Sequence, residues 1–207
     1  MAEGAAIYWG DETGVPSRPA GWGGETGISN QDQIGRSYAP IGLRPIPRRD
    51  VGEADRGQTP VVARTAKRIS QSMISAVSNR GLMRFMLYQG ALNADRFIAF
   101  LRRLSKDAGQ KLFLIVDNLK VHHAKPVTAW VASHAHEIEL FYLPADAPDH
   151  NPDEYLNSDL KQKLRQQPQP GSKDELIQST RAVLRAIQRS PRRIQAYFTP
   201  PAVRYAA

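Results

Sequence analysis

One octapeptide, KLFLIVDN at residues 111–118, constrains the chain more than any other segment. Its apolar run, rich in branched and aromatic side chains, reads as a strand buried on both faces of a sheet. A helical pattern near residues 124–135 and a further apolar run, EIELFYL at 137–143, follow it. Strand, helix and strand in that order predict a parallel crossover, and so a sheet with helices packed on it. The run ends at Asp117 and Asn118. A core strand that delivers a carboxylate at its end raises a chemical question, because a desolvated charge is costly unless a cation meets it.

The other elements fit the same frame. AAIYWGDE (5–12) reads as a short strand that also ends in acids. RISQSMISAVSNRG (68–81) and LMRFMLYQG (82–90) read as an antiparallel hairpin turning at NRG. Residues 93–109 form an amphipathic helix, with Asn93 as N-cap, Phe97, Ile98, Leu101 and Leu104 at helical spacing, and Gly109 as its stop. Asn151 and Pro152 begin a helix through DEYLNSDLKQKLRQ, which places Glu154 near its start. QQPQPGS (166–172) breaks the pattern. A last amphipathic helix (173–190) then turns Leu176, Ile177, Leu184 and Ile187 inward, with Arg181, Arg185 and Arg189 on a neighbouring stripe. The class is mixed α/β.

Residues 13–60 are rich in Gly, Pro, Arg and Ser and read as an expanded loop with at most short strands. This stretch holds a degenerate repeat. WGDETGV (9–15) returns as WGGETGI (22–28), with Gly24 where the first copy has Asp11. GLRPIP (42–47) is echoed by GQTPVV (57–62) in the same way.

The 207 residues suffice for one domain with a sizeable core. The net charge of +8 favours a polyanionic partner. From Leu156 to the end, ten Lys and Arg residues face three acids, so the excess lies in the C-terminal quarter. A solvated basic face is the alternative. The absence of cysteine excludes disulfides, thiolate zinc sites and Cys nucleophiles. No apolar run approaches the roughly 20 residues of a membrane span. The expectation is a cytoplasmic protein with no membrane partner.

Asp11, Asp117 and Glu154 thus stand at two strand ends and one helix start, where functional groups of open α/β sheets gather. Converging carboxylates repel and need cations, and oxygen-only ligands suit Mg²⁺ or Mn²⁺. Two such ions can clamp the attacking and leaving oxygens of a phosphoryl transfer. The competing reading makes each acid an ordinary turn or cap residue.

The wording of LFLIVDNLKVHHAKPVTAWV and IELFYLPADAPDHNPDEYLNSDLKQKL, with GDETG, GQTPVV and FIAFLRRL, resembles the catalytic domain of DDE transposases. It is most similar to the bacterial insertion-sequence branch of the mariner-like superfamily. The resemblance covers Gly57 to about Gln167 and the first strand, with 36 residues between Asp117 and Glu154. It implies a ribonuclease-H-like mixed sheet flanked by helices over residues 1–167, with 168–207 as a basic helical extension. It implies two Mg²⁺ or Mn²⁺ ions held by Asp11, Asp117 and Glu154, with Asn118 and His122 orienting the metal site or substrate. His123 is the less favoured histidine. Its partners would be double-stranded DNA (transposon ends and target) and a second copy of the chain in a homodimer. The DNA-contacting candidates are Lys161, Arg165, Arg181, Arg185 and Arg189. Asp146, Asp149, Asp153 and Asp159 are expected to be solvated charges, and Tyr197, Phe198 and Tyr205 to pack against the domain.

Two departures accompany the resemblance. Met1 stands ten residues before Asp11, so the family's DNA-recognition portion is expected to be missing. Measured from GRSYAP (35–40), the second repeat copy with Gly24 sits where the family's first acid falls. Asp11 is preferred because AAIYWGDE is the better strand, whereas the second copy's approach is crowded with Gly and Pro. The alternative is a truncated, inactive DNA-binding remnant.

Overall fold

Strand β1 (Ala6–Thr13) runs between two partners, antiparallel to β3 (Ser70–Val77) and parallel to β5 (Leu112–Val116). A computed structural model describes residues 5–13, 28–29, 69–144, 150–168 and 170–207. β4 (Met83–Tyr88) pairs antiparallel with β3, and β6 (Ile138–Tyr142) pairs parallel with β5. The two-residue β2 (Ile28–Ser29) also pairs with β3. The predicted hairpin and the predicted parallel crossover both form.

The β2 register bears on the repeat. Thr13 faces Met73, so an unbroken β1 would set residue 15 against Gln71. Ile28 faces Gln71 instead, thirteen positions later. That is the spacing between Trp9 and Trp22, so Ile28 stands where Val15, its counterpart in the first copy, would stand. The remainder of the expanded loop, the second repeat copy before Ile28, GLRPIP and GQTPVV lie outside the described residues.

Helices cover both faces. α1 (Ala94–Ala108) and α2 (Lys125–Ser133) pack on one, where Phe97, Leu101 and Val127 meet Tyr8, Ile74 and Leu114. The expected caps of α1 are present: Asn93 Oδ1 accepts from Arg96 N at 2.9 Å, and Gly109 takes a left-handed φ of 63°. α3 (Pro152–Arg165), α4 (Lys173–Gln188) and α5 (Pro191–Ala196) cover the other face. There Leu156, Leu160, Leu184 and Ile194 pack with Trp9, Met73 and Met83. A 3₁₀ helix (Pro201–Ala206) closes the chain. No helix among the described residues is long and apolar enough to cross a membrane.

Two expectations change. β3, whose sequence alternates loosely like a strand with one wet face, is buried along nearly its whole length, because it lies between β1 and β4 with helices on both faces. β5 is fully buried on the α1/α2 face alone. Its Phe113 and Ile115 are half-buried, since α3 and α4 lie over β1, β3 and β4. Phe113 instead meets the exposed Phe141 edge-on at 5.6 Å.

Candidate active site

Side chains alternate along β1, so Trp9 and Asp11 face α3 while Tyr8, Gly10 and Glu12 face α1. Gly10 is required by packing. A Cβ there would lie 3.1 Å from the Ser75 carbonyl and 3.3 Å from a Leu114 methyl. On the α3 side the backbone of Gly10 holds the first turn of that helix: Asn151 caps α3 by accepting from Asp153 N at 3.1 Å, and its side-chain amide donates to Gly10 O at 3.2 Å.

Asp11 is buried beneath that turn. Its Oδ2 accepts from Asn157 Nδ2 at 3.2 Å and its Oδ1 from the backbone N–H of Glu12 at 2.8 Å. Glu154, in the first turn of α3, stands beside its carboxyl. Burial, then the charges of Glu154 and Asp153, then the closeness of the Glu154 carboxyl and the charge of Asp117, push Asp11 well above the usual carboxylate range. Asp117 follows β5 directly and acts on Asp11 through its charge, while its own contacts are to His122 and, at 3.4 Å, to the N–H of Leu119. β1, β5 and α3 therefore bring all three acids to one end of the sheet.

His122 is almost fully buried against the Phe97 ring, with centroids 4.5 Å apart. Its Nδ1 lies 3.0 Å from Asp117 O and 3.2 Å from Asp117 Oδ1, and its Nε2 lies 3.3 Å from Glu12 Oε2. Burial opposes a charge on this ring, but Asp117 and Glu12 outweigh it and push the pKa up to about 9. Glu12, Asp117 and His122 form a tight cluster of potential metal-ligand atoms. Both ring nitrogens face carboxylate oxygens, however, an arrangement that favours the protonated ring, and an imidazolium has no lone pair for a metal. His122 is better described as a cation bridging Glu12 and Asp117. Asn118, next to Asp117, turns its Oδ1 to His123 Nε2 at 2.5 Å, and His123 stacks on Tyr142.

Two solvated-charge expectations are corrected. Asp153 is fully buried and accepts from Ser75 Oγ at 2.6 Å. Burial raises its carboxyl well above the usual range, with Ser75 opposing and Glu154 adding. Asp153 shares a helical stripe with Leu156, Leu160 and Leu164, a periodicity visible in the sequence that marks an inward position. Asp159 is half-buried, held by Arg193 Nε at 2.6 Å and Nη2 at 2.5 Å and by Tyr197 OH at 2.6 Å. Asp146 and Asp149 lie outside the described residues. Glu12 was not anticipated; its signal was its position next to Asp11, on the opposite face of the strand. Tyr197 and Phe198 are buried in the domain, while Tyr205 is exposed and its OH donates to His150 O at 2.6 Å.

Lys161 and Arg165 lie seven and eleven residues after Glu154, so the three share one stripe of α3. Arg181, Arg185 and Arg189 are exposed, the first two on α4 and the third at its C-cap.

Residues 21–177 match the family model described as DDE superfamily endonuclease, and the chain belongs to that family. No curated protein matches the sequence. Among solved structures, the Mos1 transposase paired-end complex with left transposon end is similar at TM-score 0.58 and 16% identity, over 99% of this chain and 56% of that one. The Mos1 mariner paired end complex with Mn gives 0.56 and 16%, over 98% and 56%. The catalytic domain of Mos1 mariner transposase gives 0.50 and 17%, over 67% and 74%. The mixed sheet flanked by helices is thus the ribonuclease-H-like fold of that catalytic domain. The chain spans little more than half the length of the Mos1 chains in those two complexes. The family match begins after Asp11 and includes the Gly24 copy, whereas β1 with Asp11 occupies the slot between β3 and β5.

Proposed function

We propose that this chain is the catalytic part of a DNA transposase of the bacterial insertion-sequence branch, cleaving DNA and joining strands with Asp11, Asp117 and Glu154 as its metal-binding acids. The observation that carries this reading is the Asp11–Glu154 carboxyl contact within the field of Asp117. The fit to a divalent ion rests on the same point. Asp11 is pushed up by burial and by three neighbouring acids, and oxygen donors alone are the set that hard Mg²⁺ or Mn²⁺ prefers. Two such ions would supply Lewis acidity, activating water and neutralising charge on the leaving oxygen.

The chain's own residues prepare that chemistry. Asn157 and the Glu12 N–H fix both oxygens of Asp11, the Asn151 cap fixes the turn that carries Glu154, and His122 orients Asp117. In this reading water attacks a backbone phosphodiester and the P–O bond to the 3′ oxygen breaks; the freed 3′-hydroxyl then attacks a target-DNA phosphodiester and displaces that strand's own 3′ oxygen, with no covalent enzyme intermediate. The Lys161 and Arg165 stripe, together with Arg181, Arg185 and Arg189, holds DNA phosphates. A homodimer and a cytoplasmic, nucleoid-associated location accompany this reading, with residues 168–207 as a basic extension of the catalytic domain.

An inactive DNA-binding remnant is the second reading, favoured by Gly24 within the family-matched segment. Mn²⁺-dependent nicking of supercoiled DNA separates the two. Activity that is lost in both Asp117→Ala and Glu154→Ala supports the enzyme, and nicking unchanged in both variants ends that reading.

A further inference from the structure

The 3₁₀ helix Pro201–Ala206 meets both β1 and the residue that precedes the cap of α3. Three residues per turn put Val203 and Ala206 on one side, and both are buried. Asn79, in the turn between β3 and β4, donates from its side-chain amide to Ala206 O at 3.2 Å. Ala202 and Tyr205, also three apart, both meet His150. The His150 Nδ1–H donates to Ala202 O at 3.0 Å, and Tyr205 OH donates to His150 O at 2.6 Å.

His150 immediately precedes Asn151, the cap of α3, whose own carbonyl accepts from the Glu154 N–H at 3.1 Å. Burial raises the phenol of Tyr205 above its ordinary value and the Trp9 indole opposes that rise, so Trp9 stands beside the hydroxyl. Trp9 comes two residues before Asp11 on the same face of β1. One hydroxyl thus stands between the strand that carries Asp11 and the turn that carries Glu154.

That hydroxyl adds little to the core. Tyr205 is 59% exposed, whereas Val203 and Ala206 supply the burial and Phe198 supplies the ring contact with Trp9, at 5.2 Å. What the Tyr205 bond fixes is the carbonyl one peptide ahead of the cap, and with it the direction in which the chain enters α3.

We infer that Tyr205 is a positioning residue, which holds the first turn of α3, and with it Glu154, in place beside Asp11. The inference rests on the reading of those acids as metal ligands. Tyr205 acts through His150 and Asn151, so its loss should alter the geometry at the acids more than the stability of the fold.

Tyr205→Phe keeps the ring and removes only the hydroxyl. In the metal-free chain, amide hydrogen exchange followed by NMR should quicken about three- to tenfold at Asp153 and Glu154, the effect of losing one hydrogen bond. The amides of Leu160 and Leu164, further along α3, should exchange as in wild type, and the melting temperature should stay within about 4 °C of it. Calorimetric titration should show Mn²⁺ affinity lowered about threefold or more. Faster exchange confined to the first turn, together with weaker Mn²⁺ binding, supports the inference. Unchanged exchange at Asp153 and Glu154, an increase spread evenly along α3, or wild-type Mn²⁺ affinity in the variant overturns it. A wild-type chain that binds no Mn²⁺ defeats the metal reading instead, and exchange at Asp153 and Glu154 then decides whether Tyr205 holds the turn.

Discussion

The side-chain amide of Asn157 donates to Oδ2 of Asp11 at 3.2 Å across 146 residues of sequence. Together with Asn151 on Gly10 O and Ser75 on Asp153, it fastens the first two turns of α3 to β1 and β3. The relative placement of Asp11 and Glu154 is therefore set by buried polar bonds as well as by apolar packing.

Asn157→Ala removes the side-chain amide that donates to Asp11. A hydrogen bond to a charged group contributes roughly 1.5–3 kcal/mol, so the Mn²⁺-dependent nicking rate is expected to fall about 10- to 100-fold. Wild-type rates in this variant would show that Asp11 needs no such support.

Ser75→Ala leaves the fully buried Asp153 carboxyl without its hydroxyl donor. The expected loss is about 1–3 kcal/mol, or roughly 2–12 °C in melting temperature for a chain of this size. Thermal unfolding checks it, and an unchanged midpoint would contradict it.

The bond network on Asp159 predicts a pH dependence. Burial raises this carboxyl, but hydrogen bonds from Arg193 and Tyr197 overcome that and hold it below the ordinary range. A carboxyl lowered in the folded state stabilises the fold above its unfolded pKa, near 3.9, and loses that contribution as pH falls through the folded value. Arg193→Ala should cost about 1 kcal/mol at pH 7, discounted because the Arg193 side chain is 38% exposed. In urea unfolding the gap to wild type should shrink as pH drops from about 7 to below the unfolded value near 3.9. An equal gap at both pH values would argue against a charge effect.

Much of this architecture was legible in the sequence because it depends on local signals. The α1 caps at Asn93 and Gly109, the Asn151–Pro152 start of α3 and the β5–α2–β6 crossover follow from capping chemistry and periodicity. The three acids were legible as element ends. The corrections concern long-range pairings. Asp159 meets Arg193 and Tyr197, 34 and 38 residues away, and Asp153 meets Ser75 across 78, and no local pattern encodes these distances. Glu12 escaped notice because its partner, His122, comes from the turn after β5.

Charge reversal at Arg181, Arg185 and Arg189 tests the basic stripe. If all three contact phosphates, the slope of log affinity against log salt should fall by nearly three, at about 0.9 per contact. Fluorescence anisotropy with duplex DNA over a salt series measures it. An unchanged slope would assign these arginines to a solvated face.

The central claim is that Asp11, Asp117 and Glu154 together hold divalent cations, and calorimetric titration with Mn²⁺ tests it most directly. Wild-type chain should bind Mn²⁺ saturably, and Asp11→Asn, Asp117→Asn and Glu154→Gln should each abolish or strongly weaken that binding. Absence of binding by the wild-type chain, or wild-type binding in Asp11→Asn, would contradict it.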